Sequence, residues 1–335
     1  MTSELSQSPT LTVEEEVLLT SLRASEWEDF IGQEHVKESL LIAIEAAVAR
    51  NEPLDHILLY GPPGLGKTTL AHLIAKGLKS QVKITSGTAL AKAGDLAAIL
   101  TNLEPGDVLF IDEIHRLPKV VEETLYPAME DYALDLVIGK GPSARTVRLD
   151  VPHFTLVGAT TRYGALTGPF RDRFGLTHRL QHYQPPELGL ILQRAATKLK
   201  IAIDTASSLE IARRARGTPR IALQLLKRVR DVTQIKHQGQ ITPERVIQAL
   251  EMLAVDKVGL TDHDRRFMQT IIEKHRGGPV GLSTLAASLS EDPGTIEEVV
   301  EPYLMQIGFL QKTPKGRVVS ADAYLHLGFP EPSGT

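Results

Sequence analysis

The chain has 335 residues, is 42% hydrophobic and 23% charged, and carries a formal net charge of −4 with no cysteine. That length supports two or three domains, each with its own core. The absence of cysteine excludes disulfides and thiolate metal sites and suits a reducing cytoplasm; the sequence also has no apolar stretch long enough to cross a bilayer, and its polar, acidic N-terminus does not read as a secretion signal.

The charge is uneven. Residues 1–183 hold 17 Lys and Arg against 24 Asp and Glu, residues 184–254 hold 12 against 6, and residues 255–335 hold 8 against 11. A basic middle segment between acidic ones can meet nucleotide, an acidic neighbour or DNA.

In chain order, residues 1–20 read as a loose tail. Residues 21–183 form an α/β domain. Helical apolar spacing covers 34–50. Strand candidates recur at 57–60, 82–85, 107–111 and 154–158, with helical patterns between them. That alternation predicts a parallel sheet with helices on both faces. Residues 133–151 break the rhythm as two alternating segments around Gly139-Lys140-Gly141-Pro142, a β-hairpin insertion with Leu134, Leu136 and Ile138 on one face. It either packs on its own domain or docks another protein. Pro185-Pro186 marks a boundary, and 184–254 is almost wholly helical, a small lid-like domain. Residues 255–335 give a helix over 262–275 capped by Thr261 or Asp262, a second from about Ser283 to Leu289, and a third from Pro293 to Gln306. Two short strands follow, around Thr313-Pro314-Lys315-Gly316. Three helices and a β-ribbon make a winged helix.

The chemistry starts at residues 61–69, Gly-Pro-Pro-Gly-Leu-Gly-Lys-Thr-Thr, between an apolar strand and a helix start. Gly61, Gly64 and Gly66 let backbone N–H groups turn inward around phosphate. Lys67 reaches the β- and γ-phosphates, and the Thr68 hydroxyl can hold Mg²⁺. Val108-Leu109-Phe110-Ile111 ends in Asp112 and Glu113, 45 residues after Lys67. Asp112 is a candidate for Mg²⁺, and Glu113 for polarising the attacking water. Thr160 and Thr161 end the strand near 158; either one reads the γ-phosphate or orients water, or they merely cap the strand. In Arg171-Asp172-Arg173-Phe174, one arginine is a finger supplied to the next subunit, or pairs locally with Asp172. Arg220 reaches the same phosphates, or belongs to a basic helix face with Lys227, Arg228 and Arg230.

Together these motifs resemble the AAA+ ATPases: Walker A at 61–69, Walker B at 107–113, sensor 1 at 158–162, an arginine finger in Asp172-Arg173-Phe174 and sensor 2 in Gly217-Thr218-Pro219-Arg220. Within that superfamily the chain is similar over residues 22–330 to the bacterial Holliday-junction branch-migration motors. The runs GDLAAILTNLEPGDVLFIDEIHRL (94–117), LYPAMEDY (125–132), GATTR (158–162) and GGPVGLSTLAASLSEDPGTIEEVVEPYL (277–304) carry that likeness. The resemblance implies a large AAA+ domain, a helical lid and a C-terminal winged helix. It implies ATP/ADP with Mg²⁺, and a six-membered ring around duplex DNA with ATP between subunits and Arg173 acting in trans. Nucleotide contacts carry over to Leu22, Arg23, Gly64, Lys67, Thr68, Thr69, Glu130, Asp131, Tyr132, Arg173, Tyr183 and Arg220. The hairpin at 133–151 is implied to dock RuvA, which holds the four-way junction, with RuvC, the resolving nuclease, as a further partner. The chain departs from the family at Arg23-Ala24, where Arg-Pro is usual, and in Ser25-Glu26-Trp27.

The third helix of the winged helix carries Glu297, Glu298 and Glu301, and no Lys or Arg between Pro293 and Gln306. Facing a polyanion, it is a poor reader of bases. The wing offers Lys312, Lys315 and Arg317, so Lys312 and Arg317 are expected to hold phosphate without regard to sequence; the alternative is a wing that only packs on a neighbour. Two rivals to the motor are a nucleotide-switched DNA-binding regulator and a clamp-loader-like or initiator ATPase.

Overall fold

A computed structural model describes residues 20–138 and 145–330 of the chain. Most of the expected tail and the turn Gly139–Pro142 of the expected hairpin lie outside the described residues. The chain divides into two compact units. One comprises Leu22–Ile191 together with Thr218–Arg220; the other holds Leu192–Gly217 and the chain from Ile221 onward.

The first unit is built on a five-stranded parallel sheet. In chain order it contains helix α1 (Glu34–Arg50), strand β1 (Ile57–Tyr60), α2 (Lys67–Gly77), β2 (Val82–Ser86), α3 (Ala93–Leu100), β3 (Val108–Asp112) and α4 (Lys119–Glu130). The hairpin strands β4 (Ala133–Ile138) and β5 (Arg145–Asp150) follow, then β6 (Thr155–Thr160), the short helix α5 (Gly168–Arg171) and β7 (Leu176–Arg179). The strand order is β2-β3-β6-β1-β7. The three inner strands are buried almost throughout, as their continuous apolar runs require. Strand β7 is an addition to the four strands expected. Leu176-Thr177-His178-Arg179 has no apolar run, only alternate burial at the sheet edge beside β1.

The core on one side joins Leu109, Ile111 and Leu156 from the sheet to Leu125 of α4, Phe154, Phe170 and Phe174. Each fully buried Leu or Phe there contributes about 1.5–3 kcal/mol relative to exposure. Leu134, at the base of the hairpin, belongs to this core and is fully buried. At that position the hairpin packs on its own domain. The side chains of Leu136 and Ile138 lie outside the described residues. On β5 Val147 and Leu149 are exposed.

The second unit contains α6's C-terminal part (the helix runs Pro185–Lys198), α7 (Thr205–Arg213), α8 from Ile221 onward (the helix runs Pro219–His237) and α9 (Pro243–Met252). It continues with α10 (Asp262–His275), capped by Thr261 as expected, and α11 (Leu282–Leu289). The third expected helix is continuous but not uniform: Pro293–Thr295, a wider π turn over Ile296–Val300, then Glu301–Gln306. Strands β8 (Leu310–Thr313) and β9 (Gly316–Val319) pair antiparallel as the ribbon, and α12 (Ala321–Leu327) closes the segment. Phe267, Ile271, Leu285, Ile296, Leu304 and Val319 form the core of these three helices and ribbon.

Candidate active site

Parallel strands place their C-terminal ends on one edge, where α/β proteins bind ligands. Here three neighbouring strands end in the residues that carry chemistry. Strand β1 leads into the glycine-rich loop, β3 ends at Asp112, and β6 ends at Thr160. The Gly61 N–H donates to the Thr160 carbonyl at 3.1 Å, stitching the loop to β6. Gly66 takes a left-handed conformation at the head of α2. At Gly64 (φ +78°) an added Cβ would lie 2.8 Å from Thr218 Cγ2 and 3.0 Å from Arg220 Cβ. A side chain there is excluded by conformation and by space together.

Lys67 is buried, and its Nζ donates to the Gly61 and Pro62 carbonyls at 2.8 and 2.9 Å. Burial lowers its pKa; Glu113 and Asp112 oppose that shift, and Arg220 adds to it. Asp112 is shifted the other way. Burial, then the neighbouring Glu113 charge, raises its pKa, against the Glu113 N–H that donates to Oδ1 at 3.0 Å and the charges of Lys67 and Arg220. Lys67, Asp112, Glu113 and Arg220 therefore share one electrostatic site.

Glu113 sits in a left-handed conformation just past β3. Its Oε2 accepts from the Thr161 hydroxyl at 3.0 Å and from the Thr161 N–H at 3.3 Å. His115 Nδ1 lies 3.2 Å from the same oxygen and 2.9 Å from Thr160 Oγ1. Thr161 thus touches Glu113 directly, and Thr160 touches His115 beside it. His115 is an addition to the expected residues. Its signal was its place two residues after Glu113.

The other nucleotide candidates fall into two places. Tyr183 is buried and donates its hydroxyl to the Leu65 carbonyl of the loop at 3.2 Å; burial raises its pKa, so it remains a donor. Arg23 lies close enough to His72 of α2 to lower the pKa of that ring, after burial, the larger cause. Leu22 falls in the same unit. Glu130, Asp131 and Tyr132 end α4 and gather with Arg173 and Arg148. Arg173 Nε is 3.1 Å from Glu130, and Arg148 is 2.9 Å from Asp131. The local ion pair weighed for Arg173 is made with Glu130 rather than Asp172. The Tyr132 ring lies against His153, with centroids 3.9 Å apart.

The wing requires a correction. Arg317 was expected as an exposed phosphate contact, yet its side chain is only 9% exposed. Its Nε donates to Glu301 Oε1 at 2.6 Å, and its Nη2 to Glu297 at 3.1 Å and to Glu301 Oε2 at 3.2 Å. The hydrogen bond to Glu301 is the main cause of its raised pKa. The physical reason is spacing: Glu297 and Glu301 are four residues apart on the third helix and share the face toward β9. Lys312 also pairs with Glu297, at 2.9 Å, but stays about half exposed. Lys315 is exposed.

A glycine-rich loop, a strand-end Asp-Glu pair, a polar residue on the intervening strand and a nearby arginine define a P-loop ATPase of the AAA+ type. Family models match along nearly the whole chain: the P-loop domain of the Holliday junction DNA helicase RuvB over residues 22–180, the RuvB AAA lid domain over 183–256 and the RuvB C-terminal winged helix domain over 257–328. The chain belongs to the RuvB family. Among solved structures it is similar to RuvB of Thermotoga maritima, described as a Holliday junction branch migration motor, with 51% identity over 93% of this chain and 99% of that one and a TM-score of 0.84. Two point variants of that Thermotoga maritima protein match at the same identity and share of this chain, covering 99% and 100% of their own lengths, with TM-scores of 0.84 and 0.85. Among the described residues no helix is long and apolar enough to cross a membrane.

Proposed function

We propose that this protein is an ATP-driven DNA translocase that moves the branch point of a four-way junction during homologous recombination and repair. The observation that carries the enzymatic part is the contact of Thr161 and His115 with Glu113, beside Asp112, Lys67 and Arg220. The family membership carries the DNA part.

In this reading Glu113 takes a proton from the attacking water while the γ-phosphoryl group passes from ATP to that water and ADP departs. Thr161 and His115 hold the carboxylate in place for that transfer. Lys67 and Arg220 spread positive charge over the phosphates, with Arg173 supplied by the adjacent subunit. Thr68 and Asp112 suit Mg²⁺: a hydroxyl and a carboxylate are hard oxygen donors, and Asp112 stands at the end of β3 beside the Glu113 carboxylate. The metal would neutralise phosphate charge there. Leu22, Arg23, Thr69 and Tyr183 belong to the base and loop side of the site, and Glu130, Asp131 and Tyr132 to the side offered to the neighbour.

The assembly is a homo-hexameric ring around duplex DNA, working in the cytoplasm with RuvA docked on the 133–151 hairpin and RuvC as the resolving partner. Exposed Val147 and Leu149 support the docking role of β5. Lys312 and Lys315 provide weak phosphate contacts, summed around the ring, independent of sequence. Arg317 acts as the tie that holds the wing.

The test is branch migration of a synthetic four-way junction by the protein with RuvA, beside Glu113→Gln. The intact chain should migrate the junction with ATP and fail with a non-hydrolysable analogue. Glu113→Gln should bind ATP but neither hydrolyse it nor move the junction. A junction moved equally well by Glu113→Gln would refute the assignment.

A further inference from the structure

Arg173 is held on its own subunit in a particular way. Its guanidinium carbon lies 4.1 Å from the centroid of the Tyr126 ring, and its Nη1 donates to the Pro169 carbonyl at 2.6 Å. Its Nε is within 3.1 Å of Glu130 Oε1 but off the direction of the N–H bond, so this nitrogen is buried without a directed hydrogen bond. Glu130 attracts the charge; the ring sets the plane.

The ring is itself fixed. Glu122, Tyr126 and Glu130 recur every four residues on α4 and so share a face. The Tyr126 hydroxyl donates to Glu122 Oε1, and the Thr167 hydroxyl donates to the same oxygen at 2.7 Å. Thr167 is the N-cap residue just before α5, and Arg173 lies two residues past its end. The Phe170 ring of α5 packs beside Tyr126 with centroids 5.7 Å apart. Helix α4 therefore grips the start of α5 through Glu122 and the residue beyond its end through the face of Tyr126.

An aromatic face engages a guanidinium from above and leaves its edge donors free for a planar anion. We infer that Tyr126 is a positioning residue for Arg173: its ring fixes the guanidinium plane so that the edge not turned to Pro169 and Glu130, the Nη2 side, is presented to the transferring phosphoryl group in the adjoining subunit's site. This rests on the proposed role of Arg173 in trans.

The experiment is steady-state ATP hydrolysis by the full chain with duplex DNA, comparing Tyr126→Leu, Tyr126→Phe and Arg173→Ala. Tyr126→Leu should lower kcat by roughly 5- to 30-fold, as loss of a partly buried cation–π contact implies, with KM for ATP unchanged. Tyr126→Phe keeps the ring and should retain most of kcat. Adding Glu113→Gln subunits, which cannot hydrolyse but carry an intact Tyr126 and Arg173, should raise the rate per Tyr126→Leu subunit. A subunit that had merely misfolded would gain nothing from that mixing, and this result would overturn the inference. So would a wild-type kcat in Tyr126→Leu, a loss confined to KM, or an equal loss in Tyr126→Phe, in each case with Arg173→Ala inactive. Full turnover by Arg173→Ala would instead remove the role in trans on which the inference rests.

Discussion

Replacing Arg317 by Ala separates two accounts of the wing. Arg317 and Glu301 have side chains 9% and 3% exposed and are joined at 2.6 Å, so removing the guanidinium leaves a carboxylate buried in the third helix. Breaking a buried pair from one side costs about 3–5 kcal/mol. For a unit of winged-helix size each kcal/mol shifts the midpoint by about 4–8 °C, so its melting should fall by roughly 12 °C or more. Differential scanning calorimetry of the full chain resolves this, because separate units need not melt together. The double variant Arg317→Met/Glu301→Leu removes both charges and should recover much of the loss. Titration onto duplexes of different sequence completes the assay. If Arg317→Ala melted within about 2 °C of the parent while its DNA affinity fell and the salt slope dropped by about one, Arg317 would be a phosphate contact and the burial argument would be wrong.

Other outcomes follow from the site. Thr161→Val keeps the shape but removes the hydroxyl that donates to Glu113, and should lower kcat roughly 10- to 100-fold with little change in KM, read by steady-state ATPase. Gly87→Ala should also suppress hydrolysis while sparing ATP binding, because its Cβ would come within 2.5 Å of the Glu113 carbonyl oxygen; normal turnover would show that the segment yields freely. His56 is buried, accepts from the Leu156 N–H at Nδ1 (2.9 Å) and donates from Nε2 to Met129 at 3.0 Å, so it is held neutral. Burial lowers its pKa from 6.5, hence its stabilising contribution is complete above that value and is lost as pH falls through it toward the folded-state value. Urea unfolding between pH 7.5 and 5 should show declining stability, and His56→Gln should remove part of that slope.

The loop and the central strands were legible because their signals are local. A strand buried on both faces writes itself as Leu-Phe-Ile, and a phosphate loop must be contiguous to work. What stayed hidden was set by contacts distant in sequence. Arg173 meets Glu130 and Tyr126 across more than forty residues, so the sequence offered only its neighbour Asp172 as a partner. Arg317 was misplaced although the spacing of Glu297 and Glu301 was visible; only folding reveals that their shared face lies under β9. Strand β7 escaped because an edge strand has only one flank to satisfy and needs no apolar run.

The same edge strands bear on self-association. At one margin of the sheet β2 exposes Lys83, and at the other β7, four residues long, exposes Arg179. Another copy sliding in alongside would bring cation against cation before any backbone ladder could form. Stacking of sheets into open-ended aggregates is thereby discouraged, and joining through other surfaces is left as the favoured way for one copy to meet the next.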